Sequence, residues 1–213
     1  MIKEIYTLYV ERWHFFLDLT WEHLQISLMS IVIATMVGLG LGIMISMYRK
    51  SSSTVLGLTN FIYTIPSIAL FGFLIPFSGI GNTTAIIALS IYALLPMVHN
   101  TYTGIIGIDK EIIEAARGMG STTFQILYKI QIPLAFPVIL SGIRNMVVMT
   151  IALTGIAAFI GAGGLGVAIY RGITTNNSAM TIAGSLLIAL LALLADWGVG
   201  RYEKYIKRKR KLL

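Results

Sequence analysis

A chain of 213 residues that is 56% hydrophobic and only 12% charged, with a mean hydropathy of +0.82, is too apolar for a water-soluble domain and belongs in a bilayer. Its formal charge of +7 does not point to nucleic acid, because seven of the sixteen basic residues crowd into the last thirteen positions, where they suit a cytoplasmic tail meeting anionic lipid headgroups. The absence of cysteine excludes a disulfide framework and a thiolate metal site.

Residues 1–23 interleave Tyr6, Tyr9, Trp13, Phe15, Phe16 and Trp21 with Glu4, Glu11, Arg12, Asp18 and Glu22. Rings mixed with charges suit the headgroup layer, so an amphipathic helix lying on the membrane is expected. No short apolar core followed by a small-residue cleavage site occurs there, so no cleavable signal peptide is expected. A first span runs from about Leu24 to Tyr48, with Gly38, Gly40 and Gly42 available for close helix approach. A second runs from about Val55 to Phe77, kinked at Pro66, and a third from about Thr84 to Ile106, with Pro96 inside it. A polar segment, 109–133, comes next. A fourth span then runs from about Leu134 to Ile160, a glycine-rich break from Gly161 to Gly166, a short re-entrant or surface piece to Asn177, and a fifth span from about Ala179 to Val199.

Each span is near the ~20 apolar residues needed to cross a ~30 Å hydrocarbon core. The expected architecture is therefore an all-α polytopic membrane protein with about five transmembrane helices (six if the fourth is divided), an interfacial segment at 1–23, a membrane domain at 24–200 and a basic tail at 201–213. Sidedness follows from Lys and Arg. Arg49, Lys50, Lys110, Arg117, Lys129 and the seven basic residues of the tail fall on one side, against Lys3, Arg12 and Arg171 on the other. The N-terminus is expected outside, the 109–133 segment and the tail inside.

Within that segment Glu111–Ala116 are good helix formers, and Gly118 and Gly120 break the helix and permit a left-handed turn. Ser121 and Thr122 can cap a second short helix, and Pro133 is expected to close the unit. Its spacing, Glu114-Ala115-Ala116, three residues, Gly120, nine residues, Ile130-Gln131-Ile132-Pro133, resembles the "EAA" loop of the membrane subunits of bacterial ATP-binding-cassette (ABC) importers. Ile132 stands where that family usually has Leu, a volume-conserving exchange.

Other stretches narrow the resemblance. Leu94–Ile105 is similar to osmoprotectant permeases, which commonly carry Arg at the place of His99, and Ala157–Gly166 is similar to osmoprotectant and methionine permeases. The family implied is the permease subunit of a binding-protein-dependent importer of glycine betaine, carnitine or choline, with the type I fold and a bacterial cell-membrane location. Methionine permeases are the nearest alternative. The resemblance implies a second permease subunit, identical or paralogous, two ATPase subunits docked on the coupling segment, an extracellular substrate-binding protein, and alternating access. It also implies that Glu114 and Gly120 fix the shape of the coupling unit, Ala115 and Ala116 present a close-packing surface, and Ile130 and Pro133 complete the motif. ATP and Mg belong on the partner ATPase: no glycine here is followed by lysine, so no Walker motif exists, and this chain is expected to hold no cofactor and catalyse nothing itself.

The remaining polar residues are weighed from chemistry. Gly161, Gly163 and Gly166 fit the dinucleotide-binding spacing, but that motif needs a soluble strand before it. Together with Gly164 they are expected to shape an irregular outer turn. Tyr92, Pro96, His99, Asn100 and Thr103 recur on one helical face, either lining a pathway or bonding between helices, since lipid cannot satisfy them. No cluster supports a metal at His99. Arg144 stands ~16 Å along its span, near mid-membrane, where it must face protein or water. Ser141 and Asn145 are expected to share its face, and Asp196, a second intramembrane charge, to pair with Arg201 or Arg117. Against a self-contained transporter or channel stands the lack of convincing inverted repeats or in-membrane carboxylates of the kind such proteins usually show. Against an intramembrane enzyme stands the lack of Ser/His or paired-carboxylate constellations in the spans.

Overall fold

The computed structural model describes residues Met1–Lys209; Arg210 and Lys211 of the expected tail lie outside the described residues. Among the described residues there is no strand. Ten α-helices occur in order: α1 Ile2–Glu11, α2 Trp13–Met47, α3 Ser52–Thr64, α4 Ser67–Ser78, α5 Asn82–Ile106, α6 Lys110–Gly118, α7 Thr123–Ile126, α8 Ile132–Thr154, α9 Gly166–Thr174 and α10 Ser178–Lys209. Four helical stretches are long and apolar enough to cross a membrane, Trp13–Met47, Asn82–Ile106, Thr123–Thr154 and Ser178–Arg208, and the bent pair α3–α4 brings the number to five.

Helix α5 occupies the centre, packed by α2, α3, α4 and α8. Its partners approach closely because small residues face it. A Cβ on Gly38 would come within 2.7 Å of Met97, and one on Gly42 within 2.5 Å of Thr101, whereas Gly40 faces open space. Only the i, i+4 pair of the three glycines therefore builds the α2–α5 seam. Apolar layers fill both halves of this centre, Leu70, Phe71, Leu89 and Ala157 in one and Met97, Ile105, Ile139 and Met146 in the other.

The structure differs from sequence expectation at four places. The first helical break falls at Arg12, so Trp13–Glu22 extend α2, and α1 packs on α10, Tyr9 donating to the Ala183 carbonyl at 2.8 Å. The kink expected at Pro66 in the 55–77 stretch is a full break, two helices bent by 100°. Pro66 forces Ile65 into an extended conformation (φ −70°, ψ 126°), and the buried Tyr92 hydroxyl donates to the freed Ile65 carbonyl. Pro133 does not close the polar unit; a π-helical turn, Leu127–Gln131, absorbs the disturbance and the helix runs on into α8. At the C-terminus α10 continues helically ten residues past Val199.

Candidate functional site

The 109–133 segment folds as a helix–turn–helix at one end of the bundle. Asp109 caps α6 by accepting from the Glu111 amide at 3.0 Å. The helix ends in a Schellman closure: the Ser121 amide reaches the Ala116 carbonyl at 3.0 Å, the Gly120 amide reaches the Arg117 carbonyl at 2.9 Å, and Gly120 takes φ +84°. Thr122 and Gln125 then form a reciprocal capping box that starts α7, the Gln125 amide donating to Thr122 Oγ1 and the Thr122 amide to Gln125 Oε1.

Glu114 and Ala115 are exposed, but Ala116 is 1% exposed, so only one alanine of the pair is free to meet another molecule. Ile130 is half-buried in the π turn. Met119, Phe124 and Tyr128 also stand exposed on this unit, with the rings of Phe124 and Tyr128 stacked (centroids 6.3 Å apart, planes 2° apart). Sequence reasoning misses these three; the signal available is two aromatic rings at i, i+4 in an otherwise polar loop.

The polar face of α5 divides. Tyr92 is buried and holds the α3–α4 break. Asn100 donates to the Pro96 carbonyl at 2.8 Å and Thr103 to the His99 carbonyl at 2.8 Å, each within its own helix. Only Pro96 and His99 reach a groove of about 480 Å³, where they meet Asn60 and Tyr63 of α3 and Asn145 and Met149 of α8. Tyr63 donates to Met149 Sδ at 3.4 Å and sets its ring edge-on to Tyr92. Asn60 and Tyr63 escape sequence reasoning, although their i, i+3 spacing just before Pro66 puts them on one helical face.

Arg144 and Asn145 do not share a face, since neighbouring helical residues are turned ~100° apart. Asn145 faces the groove. Arg144 points to α10 and makes a two-pronged contact with Asp196, Nε to Oδ1 at 2.6 Å and Nη2 to Oδ2 at 2.7 Å. Asp196 is thus partnered by Arg144, not by Arg201 or Arg117. Around this pair Arg144 Nη1 stands 3.6 Å from Glu203 Oε2, while Ser141 and Lys207 donate to Glu203 Oε1 at 2.8 and 2.7 Å. Ser141 does belong to the Arg144 side. The two cations and two carboxylates of this α8–α10 network cancel.

At the opposite end of the bundle the glycine turn is clasped by groups far away in sequence. Glu22 accepts from the Gly164 amide and from Asn82 Nδ2, both at 3.0 Å, and Asn82 Oδ1 accepts from the Gly163 amide at 2.8 Å. Gly161 and Gly164 adopt positive φ (75° and 86°), while a Cβ on Gly163 would run into the Glu22 carboxylate and one on Gly166 into the Gly155 carbonyl. Beneath the turn His23 is wholly buried, its Nε2 3.0 Å from the Ile151 carbonyl. By its neighbours in sequence Glu22 reads as one more headgroup residue; nothing local marks its role. Among the described residues no group of three or more His, Cys, Asp or Glu side chains is placed to hold a metal ion.

Comparison with known proteins supplies the context for this geometry. Residues 28–208 match the family described as binding-protein-dependent transport system inner membrane component. A carnitine transport permease protein of Listeria monocytogenes is 40% identical over 199 residues, 93% of this chain and 91% of that protein. A glycine betaine/carnitine/choline transport system permease protein of Bacillus subtilis is 39% identical over 212 residues, 99% of this chain and 93% of that protein. Among solved structures, an inward-facing conformation of the MetNI methionine ABC transporter superposes with a TM-score of 0.78 at 25% identity, covering 87% of this chain and 93% of that one.

Proposed function

Because the chain belongs to the family of binding-protein-dependent transport system inner membrane components, we propose that it is the membrane-spanning permease subunit of an ATP-driven importer for a quaternary-ammonium osmoprotectant. The observation that carries the coupling role is the exposed helix–turn–helix of residues 109–133, shaped by Gly120 and capped at both joints. One uninterrupted helical path leads from it, Thr123 through Thr154, into the membrane. A partner ATPase that moves this unit when it binds ATP moves α8 with it. Helix α8 carries Asn145 and Met149 of the groove, and its tie to Asp196 passes the displacement to α10. Two such subunits facing each other would join their grooves into one pathway, which alternates between outward and inward openings. ATP and Mg reside on the ATPase, and an extracellular binding protein delivers the substrate.

The named substrates of the two relatives support a trimethylammonium compound such as carnitine, glycine betaine or choline. The Tyr63 ring beside the amides of Asn60 and Asn145 suits that chemistry, an aromatic face for the cation and donors for a carboxylate. The test is uptake in cells lacking their own osmoprotectant carriers, which express this chain with its ATPase and binding protein. Labelled carnitine, betaine or choline should accumulate in an ATP-dependent way, and the ATPase should copurify with the chain. Accumulation of methionine alone would replace the substrate assignment, and transport without any ATPase would overturn the class.

In this reading the distribution of Lys and Arg puts the N-terminus outside and the 109–133 unit in the cytoplasm. Single cysteines at Thr83 and at Ser53, both exposed at helix starts, enter a cysteine-free chain and should label from opposite faces with an impermeant thiol reagent, Thr83 from outside. Labelling of both from one face would refute that topology.

A further inference from the structure

We propose that the C-terminal half of α10 holds a site for an anionic phospholipid, with the phosphate headgroup seated among Arg201, Lys204 and Arg208 and an acyl chain lying along Leu186, Leu190 and Leu193. Those positions succeed one another at intervals of four, three and four residues, with Trp197 at the junction, so they form one continuous stripe along the helix. The stripe changes character once. Leu186, Leu190, Leu193 and Trp197 are 52%, 50%, 68% and 62% exposed, with no part of this chain covering them; Arg201, Lys204 and Arg208 are exposed beyond. From Leu186 to Trp197 the rise is ~16 Å, about half of a ~30 Å hydrocarbon core, and therefore the reach of one leaflet.

At the charged end the surface is concave. A cavity of about 740 Å³ is lined by the three cations together with Trp197, Tyr205 and the Arg144–Asp196 pair. Its only lining carboxylate, Asp196, is occupied by Arg144, and Glu203 is occupied by Lys207 and Ser141. Among the described residues no carboxylate lies within ion-pair distance of Arg201, Lys204 or Arg208. Arg201 is instead held over the Trp197 ring, 5.2 Å from its centroid, which fixes its guanidinium at the depth of the interface. Three unmatched cations around a cavity at the end of a leaflet-long apolar track call for a ligand with one anionic head and a hydrocarbon tail. An anionic phospholipid has that form. The general attraction of a basic tail for a negative surface requires neither the cavity nor the register.

The experiment uses the full chain carrying Trp13→Phe and Trp21→Phe, which leaves Trp197 as the single tryptophan, in vesicles of phosphatidylcholine with phosphatidylglycerol as the minor component. Brominated acyl chains are placed on one lipid or on the other, and quenching of Trp197 reports which lipid sits beside it. Brominated phosphatidylglycerol should quench well beyond its mole fraction. The relative affinity should fall roughly fivefold for each cation removed in Lys204→Gln and Arg208→Gln, which leave the Trp197–Arg201 contact in place. Quenching that tracks mole fraction in the unaltered chain would overturn the proposal, as would an undiminished preference in the double variant. Failure of either lipid to quench Trp197 would mean that a protein surface covers the stripe, and would overturn it too. Loss of the preference on adding inorganic phosphate would identify a free-anion site instead.

Discussion

Arg144→Leu should lower the amount of correctly folded subunit, while the double change Arg144→Leu/Asp196→Leu should recover part of the loss. The single change strips the guanidinium from a carboxylate that it meets at 2.6 and 2.7 Å, and leaves the half-exposed Asp196 facing an apolar side chain between α8 and α10. An uncompensated charge there costs more than the pair contributes, whereas replacing both partners by apolar groups of similar volume can be close to neutral. Arg144→Lys should fall between, because an ammonium is a point charge and cannot match both carboxylate oxygens. Gly200 fits the same account: a Cβ there would come within 3.0 Å of the guanidinium carbon, so the α8–α10 approach is built around this arginine. The measurement is the yield of monodisperse protein in detergent for the single and double variants. If Arg144→Leu keeps the wild-type yield and changes only uptake, the residue serves the pathway and not the helix packing. If the double variant is no better than the single, the pair does not hold α8 to α10.

What the sequence could and could not reveal divides along the distance between partners. Helix α5 is legible almost to the residue, because an apolar run bounded by Gly79–Gly81 and Gly107 is a local pattern. The turn at Gly120 is legible for the same reason. Its capping box is half-legible, since Thr122 stands out as a cap but its partner Gln125 does not. The break at Pro66 announces itself, but nothing local gives its 100° bend or names Tyr92, which donates to the Ile65 carbonyl from twenty-seven positions away. Pairing of Arg144 with Asp196 spans fifty-two positions and the clasp of Glu22 on Gly164 spans 142, and no periodicity encodes either. Both charges of the α8–α10 pair are conspicuous separately. Each is a warning that a partner must exist, and two such warnings in one membrane domain are best read together.

The groove shows a further limit. His99 and Asn145 are both evident as polar residues within spans, one in a stripe on α5 and the other adjacent to Arg144. Only the packing of α3, α5 and α8 decides which polar groups face a common space, and it selects His99 and Asn145 while retiring Asn100 and Thr103 to backbone bonds of their own helix.

Gly120→Val should abolish most uptake without removing the subunit from the membrane. At φ +84° a β-branched residue is strained by ~1–3 kcal/mol, enough to shift the turn into another conformation and to reorient α6 against α7. No other contact is at stake inside the chain, because a Cβ at Gly120 meets nothing within 4 Å. The effect is therefore one of backbone conformation, and a second variant isolates it. Asparagine tolerates the left-handed region far better than valine, so Gly120→Asn should retain much of the uptake that Gly120→Val loses. Both should insert normally, with α8 and its membrane packing untouched. The readouts are uptake of labelled substrate, the amount of subunit in the membrane fraction, and pull-down of the ATPase. Valine should lose uptake by roughly tenfold or more, given that 1.4 kcal/mol is a factor of ten in any equilibrium the turn controls. Equal loss in both variants would mean that the ATPase packs directly on this glycine and that bulk, not φ, is what it rejects. Normal uptake in Gly120→Val would show that the turn does not shape the coupling unit.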